Sequence, residues 1–579
     1  RCWRYSGDQD RPVRYRSASY NGPTGIVDAN SSVKNTMRNT HVHVLLFAAL
    51  VTLTACTTVV EREVPISTLV GAPFCVPDAA PDAAPDAPIS SEPQPEASID
   101  ASPDASPDAS PDASPEAGDA APDAPDAHVY TLQERITTVV FIVQENQSFD
   151  RMFGMFPGAN GYTISGGVPT NCQYDSFDGA CAPVQRATHK NAGSVHDARY
   201  FEMMRDRTRG TGYPQAGVFA PGTAPVDGFC TAGHVYNTGT GACCDKDKCS
   251  PVNWIDVLSY YTAEDLPNHL AYAAHGALLD GLFASNNDWS MPEHLFISAQ
   301  WAAKCPAGSD ITACYSCTTG GGLSCPNGPN APYDQQHSKY TPMPKLFTDY
   351  GVSWKQYLAQ GAIPTNCLAD ECPPPDMAAD TYGVRTHWNV LPGFDWIKDR
   401  PAELAKANTP LSDFFSDAAA GTLPGVSWVL PSGKISDHPV GGNTGLLPGQ
   451  TYVTGLLNAL QRSPQWPTMA VIVYWDDWGG FYDHVDPPVV NGMQLGFRVP
   501  GYVLSPWVKQ GVFSEVMSFD SLNKFVQDLL LGGERLCGAN LLTGDPRPQC
   551  REDLIVGDLR NAFDPNQTPR PVLILDPTP

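Results

Sequence analysis

Long apolar runs are missing from this chain. The most hydrophobic early stretch, residues 44–53, holds ten residues drawn mainly from Val, Leu, Ala and Phe, about half of what a membrane-spanning helix needs. Cations are scarce as well. Lys and Arg number 36 against 62 Asp and Glu, a formal net charge of −26, and a chain so acidic repels phosphate backbones, which excludes nucleic acid as a partner. Residues 76–127 carry no Lys or Arg but thirteen acidic residues, in repeats of Pro-Asp-Ala and Ala-Ser-Pro-Asp. With little larger than Ala to bury, that segment is expected to be an extended, self-repelling, disordered linker. No Met precedes Met37, so the basic residues 1–36 read as an extension upstream of the native start. No Gly-rich nucleotide cradle occurs either.

Residues 37–56, MRNTHVHVLLFAALVTLTAC, join one Arg to the short apolar stretch and end in Leu-Thr-Ala-Cys. They resemble a bacterial lipoprotein signal peptide, residues 37–55, cut before a lipidated Cys56. Acyl chains there, at about 0.8 kcal/mol per buried methylene, would anchor the chain to a membrane. The plainer alternative is an ordinary secretory signal with a chance Cys. Either way the chain is expected to be exported; with the anchor, residues 56–127 tether a folded domain, residues 128–579, to the bacterial cell envelope. Fourteen of the 17 Cys fall in residues 128–579, an even number that predicts disulfides in an exported chain. Cys314 and Cys317 have C-x-x-C spacing, but no second such pair completes a zinc site.

Within the folded part, TTVVFIVQENQSFDRMFG (residues 137–154) opens with a β-branched run that does not alternate, so residues 136–143 predict a strand covered on both faces. MAVIVYW (469–475) predicts a second and FRVPGYVLS (497–505) a third. Residues 263–284 are read as a helix, from Leu266, Leu270, Ala274 and Leu278 at every fourth position. Strands interspersed with helices predict an α/β fold, a three-layer sandwich with a mainly parallel central sheet. The Gly/Cys/Pro-rich residues 171–250 and 305–332 are expected to be irregular, disulfide-rich loop insertions.

Two of these strands run straight into acids and an amide: Glu145 and Asn146 after the first, Asp476 and Asp477 after the second. Ligands of open α/β sheets bind outside the carboxyl ends of strands, so the four side chains are expected to meet. Three clustered carboxylates repel unless a cation joins them, and oxygen donors suit Mg²⁺, Ca²⁺ or Mn²⁺. Taken singly, each pair also fits a turn or helix cap. Ser290, in NNDWSMPEHLF, stands three residues before Glu293, the S-x-x-E pattern of a capping box. It is an N-cap, or a hydroxyl at a helix N-terminus that a metal can turn into a nucleophile; the two readings are compatible.

The segments ENQSFDRMFGMFPGANGY, YYTAEDLPNHLAYAAHGALLDGLFASNNDWSMPEHLF, VSWVLPSGKISDHP, YWDDWGGFYDHVDPP and GFRVPGYVLSPWVKQG resemble, in order, the bacterial phosphoesterase family. That family comprises phosphatidylcholine-type phospholipases C and an acid phosphatase, related in fold to alkaline phosphatase. The resemblance covers about residues 136 to 531. It implies that residues 128–579 are a phosphoesterase catalytic domain with one divalent metal ion (Mg, Ca, Mn or Zn) on Glu145, Asn146, Ser290, Asp476 and Asp477. Ser290 would be the nucleophile and form a phosphoserine. His196 in SVHDARYF, His387 in RTHWN and His438 in SDHP would contact the phosphoryl group with Asn146, one His protonating the leaving group. His484 in YDHV is expected to hold its loop.

Two departures are visible. The position of Asp477 is more often Glu in the family, and phospholipase C members commonly have Thr where Ser290 stands. The second, with no lipid-binding module after the match, turns the expectation toward an acid-phosphatase-like enzyme acting on small phosphate esters. A phospholipase C acting on phospholipid diesters is the alternative, and a non-catalytic surface binding protein a third. A sulfatase-like reading fails for want of a C-x-P-x-R string. No obligate protein partner is implied.

Overall fold

The computed structural model describes residues 128–175, 180–187, 193–208, 224–236, 257–304, 315–316, 340–377, 383–385, 387–439, 446–490, 493–545, 547, 550 and 557–579. The signal, Cys56, the linker, and Cys314 and Cys317 with most of the 305–332 insertion lie outside the described residues.

The core is one eight-stranded sheet. In chain order its strands are β1 (Thr138–Gln144), β2 (Ala277–Leu279), β3 (Trp354–Leu358), β4 (Thr409–Pro410), β5 (Val426–Leu430), β6 (Met469–Trp475), β7 (Gly501–Leu504) and β8 (Gly511–Phe513). Across the sheet they lie in the order β4-β3-β5-β1-β6-β7-β2-β8. β1 pairs in parallel with β5 on one side and β6 on the other. β7 alone runs against its neighbours β6 and β2. The first two predicted strands therefore stand side by side at the centre. The third is shorter than expected, since Pro500 removes a ladder donor just before it, and it runs antiparallel to both neighbours.

Both faces are covered, which is why β1 and β6 lack alternation: every residue of each is buried. Helices used below are α1 (Phe149–Phe153), α2 (Ala198–Arg205), α3 (Pro267–His275), α4 (Ser290–Ala299), α5 (Leu411–Ala420), α6 (Leu447–Arg462) and α7 (Phe519–Leu530). On one face Trp475 and Tyr502 meet His269 of α3, and Tyr357 meets Phe414 of α5. On the other, Phe141 packs on Tyr474 and Tyr474 on Phe519 of α7, against which α4 packs. The result is the expected three-layer α/β sandwich.

Residues 263–284 are not one helix. α3 ends at Gly276, whose backbone passes so close to β7 that a Cβ would sit 2.0 Å from the Val503 carbonyl oxygen; the chain then enters β2 with Leu278 in it. The buried face of α3 is Asn268, His269, Tyr272 and Ala273, one step off the apolar positions, because its polar residues face α6. Asn268 Nδ2 donates to Thr454 Oγ1 over 3.1 Å, and its backbone N–H to Gln450. The insertion at 171–250 is not wholly irregular either. It contains a short antiparallel ladder, Cys172–Asp175 with Ala180–Pro183, and the helices Ala198–Arg205 and Phe229–Tyr236. Disulfides join Cys172 to Cys181, Cys367 to Cys372 and Cys537 to Cys550. Among the described residues no helix is long and apolar enough to cross a membrane.

Candidate active site

β1 and β6 end in register, Gln144 opposite Trp475, so the next residues leave the sheet at one level. Asp476 N–H continues the ladder to the Gln144 carbonyl over 3.0 Å, while Glu145 N–H donates to the Ser436 carbonyl beyond β5. The chain then turns sharply at Asn146, which adopts φ +57°, a left-handed conformation that Asn tolerates better than most residues. That turn aims its N–H at Asp476 Oδ1, 2.8 Å away, and its Nδ2 at Asp477 Oδ1, 2.7 Å away. Asp477 Oδ1 also accepts from Gly479 N–H. Gly479, at φ +61°, is required: a Cβ there would lie 2.5 Å from the Asn146 carbonyl oxygen.

The parallel strand β2 reaches the same edge and leads, through a loop, into α4. Ser290 is the first residue of that helix, after Trp289 at the cap. The capping box expected from S-x-x-E does not form. Glu293 instead accepts from Ser285 and Asn286 N–H at 2.9 and 3.0 Å and so holds the preceding loop. The Ser290 hydroxyl is left to donate into the cluster, 3.0 Å from Asp477 Oδ2 and 3.4 Å from Asn146 Oδ1. One turn on, His294 Nε2 lies 2.9 Å from Glu145 Oε1 and 3.7 Å from Asp476 Oδ2.

All these groups are buried. Ligand atoms of Glu145, His294 and Asp476 lie within 4.8 Å of one another, and unit charges at that separation repel by about 3 kcal/mol at an effective dielectric of 20. Burial, then Asp476 and Asp477, accordingly push the Glu145 carboxyl well above its ordinary range. Burial and Asp476 lift Asp477 to about 7. Glu145 Oε2 and Asp476 Oδ2 are enclosed without a hydrogen-bond partner. Buried anions of like sign with unused oxygen lone pairs are the donor set of a cation, so the cluster fits a metal ion.

His196, His387 and His438 surround it. His196 Nε2 stands 3.1 Å from Asn146 Nδ2, and its Nδ1 is 2.8 Å from the Ser194 carbonyl. Burial opposes its charged form, yet Asp477, the Ser194 carbonyl, Asp476 and Asp197 together outweigh that, so its basicity is raised. His438 follows Asp437, which adopts φ +66° and accepts from Trp475 Nε1 over 3.1 Å. Burial lowers His438 to about 3, helped by His196 and Arg385. His387 packs on Trp289 and Trp388 and is lowered to about 4, by burial first. His484 stands apart from the cluster. Its N–H and Nδ1 lie 2.7 and 2.6 Å from Asp150 Oδ2, in a buried network with Arg498 and Asp483 that locks its loop to α1.

The structure thus brings together Glu145, Asn146, Ser290, Asp476, Asp477 and His196, with His387 and His438 at the rim. The sequence reading missed His294 and Arg385, whose charge acts on Glu145, His387 and His438. His294 had a signal: it lies four residues after Ser290 on one helix face. Arg385 had none.

A model of the phosphoesterase family matches residues 136–529. A non-hemolytic phospholipase C of Pseudomonas aeruginosa is 26% identical over 480 residues, 75% of this chain and 58% of that protein. Phospholipase C A of Mycobacterium tuberculosis is 26% identical over 482 residues, 75% of this chain and 79% of that protein. The chain therefore spans little more than half the length of the Pseudomonas relative. A solved structure described as a protein in the alkaline phosphatase superfamily, from Vibrio parahaemolyticus, has 12% identity over 50% of this chain and 66% of that one. Its TM-score is 0.26. The match from residue 136 to residue 529 takes in both acid-bearing strands, Ser290, His196, His387 and His438; this chain belongs to the phosphoesterase family.

Proposed function

We propose that this chain hydrolyses phosphoric esters with Ser290 as nucleophile. One observation carries the reading: the Ser290 hydroxyl, at a helix N-terminus, donates to Asp477 Oδ2 at 3.0 Å beside a buried acid cluster. Ser290 Oγ attacks phosphorus as its proton passes to Asp477 Oδ2. The bond from phosphorus to the ester oxygen breaks, and His196, the one rim histidine whose basicity is raised, gives the departing oxygen its proton. Water then attacks the phosphoserine, losing a proton to His196, and Asp477 returns a proton to Ser290. His387 and His438, kept neutral by burial, and Asn146 donate to the non-bridging oxygens. Glu145, Asn146, Ser290, Asp476 and Asp477 supply the oxygens that would hold one divalent cation. When bound, it contributes positive charge beside the phosphoryl group and favours ionised Ser290.

For the leaving group, the relatives named phospholipase C support a phospholipid diester. The phosphomonoester reading is favoured by Ser290 itself, since the phospholipase C members commonly carry Thr there. Rates on p-nitrophenylphosphorylcholine and p-nitrophenyl phosphate decide between them, and loss of both rates in Ser290→Ala is expected. A variant that keeps its rate removes Ser290 from the mechanism. The same reading places the chain at the cell envelope on a lipidated Cys56, supported by the Leu-Thr-Ala-Cys string. Radiolabelled fatty acid incorporated by the wild type but not by Cys56→Ala is the expected result.

A further inference from the structure

The geometry points to His294 as a nitrogen ligand of the cation site, making it a mixed nitrogen–oxygen centre that takes a borderline ion such as Zn²⁺ or Fe²⁺ in preference to Mg²⁺ or Ca²⁺. The inference rests on the proposal that this cluster holds a cation. It changes the kind of ion, because the sequence alone pointed to an all-oxygen set.

Three observations support it. First, His294 Nε2 faces two carboxylates at once, Glu145 Oε1 at 2.9 Å and Asp476 Oδ2 at 3.7 Å. Donors around an ion with bonds of about 2.0–2.2 Å stand roughly 3.0–3.6 Å from one another, so both spacings suit a shared centre with slight adjustment. Second, a single imidazole N–H cannot satisfy the site. Asp476 Oδ1 takes the Asn146 N–H and Glu145 Oε1 faces the imidazole, yet Glu145 Oε2 and Asp476 Oδ2 remain buried without partners. A buried oxygen left unpaired is destabilising, and one cation serves both. Third, His294 projects from α4 one turn beyond Ser290, so one helix face presents the hydroxyl and the imidazole to the same cluster.

The second acid–histidine group, Asp150, Asp483 and His484, does not compete for an ion. Arg498 already occupies it, with Nη2 2.8 Å from Asp150 and Nε 2.9 Å from Asp483. At the Glu145 cluster the charge is unbalanced, and the nitrogen donor sets selectivity. Imidazole suits zinc and iron, whereas Mg²⁺ and Ca²⁺ take oxygen ligands.

The test is metal competition read by mass spectrometry of bound ions. Full-length wild type and His294→Gln are stripped with chelator, then dialysed against equal concentrations of Zn²⁺, Mg²⁺ and Ca²⁺. The wild type should retain Zn²⁺ in equal proportion to protein, with the other two at background. His294→Gln should bind Zn²⁺ about 100-fold or more weakly and lose the discrimination. A variant with wild-type zinc affinity, or a wild type that prefers Mg²⁺ or Ca²⁺, overturns the inference. X-ray absorption on zinc-loaded wild type decides the matter even if the variant does not fold: imidazole in the first shell supports it, and an all-oxygen shell overturns it. Ester turnover with an all-oxygen shell sinks His294 as a ligand and leaves the hydrolase reading standing; an imidazole shell without turnover does the reverse.

Discussion

Asn146 donates its backbone N–H to Asp476 Oδ1 across 2.8 Å, joining residues 330 positions apart in the chain. That bond exists because β1 and β6 are neighbours in register and because Asn146 turns left-handed at φ +57°. Asn146→Gly keeps the turn and loses the amide; Asn146→Ala loses the amide and adds strain of about 1–2 kcal/mol. Both variants should lose activity. The alanine form should be the less stable in urea by about 1 kcal/mol, and equal midpoints would contradict the strain.

Removing the ion should act on stability as well as on rate. A ligand held only by the folded chain adds about 2.7 kcal/mol when its free concentration is 100 times its dissociation constant. Chelator should therefore abolish turnover and lower the unfolding midpoint, and added divalent ion should restore both. An unchanged midpoint and rate in chelator would remove the cation from the account.

Arg498 is buried between Asp150 and Asp483, and His484 leans on the same Asp150 carboxylate. Arg498→Met strands two buried carboxylates, at a cost of about 3–5 kcal/mol. A urea titration should show that loss; a cost under about 1 kcal/mol would mean that the network does not hold the loop to α1.

How much of this was legible in the sequence follows from range. The two non-alternating runs ending in Glu145-Asn146 and Asp476-Asp477 announce buried strands with polar ends, since burial on both faces leaves a local mark. Ser290 was visible through its place before an apolar helical run. The break at Gly276 was not, because what forbids a Cβ there is the Val503 carbonyl of a strand over two hundred residues away. Glu293 was misread for the same reason: the spacing fits a capping box, but its partners are Ser285 and Asn286. His294 shares a helix face with Ser290, but nothing local joins it to the acids. Only the arrival of Glu145 and Asp476 gives it a partner.

His269, outside the site, makes acid sensitivity separable. Burial lowers its pKa from 6.5 to about 3, so the folded chain keeps it neutral while the unfolded chain takes up a proton below pH 6.5. Its contribution is present above that pH and is lost as pH falls toward 3. Between pH 7 and pH 5 the loss is about 2 kcal/mol. His269→Gln should flatten that part of the profile in urea unfolding; parallel wild-type and variant profiles would contradict it.

The most direct test is to look for the covalent intermediate. Enzyme quenched in acid during turnover of a phosphate ester is digested, and the peptide containing Ser290 is weighed by mass spectrometry. The account predicts a phosphoryl adduct on Ser290, absent without substrate. Steady hydrolysis with no adduct at that residue, and with Ser290→Ala still turning over, would contradict it.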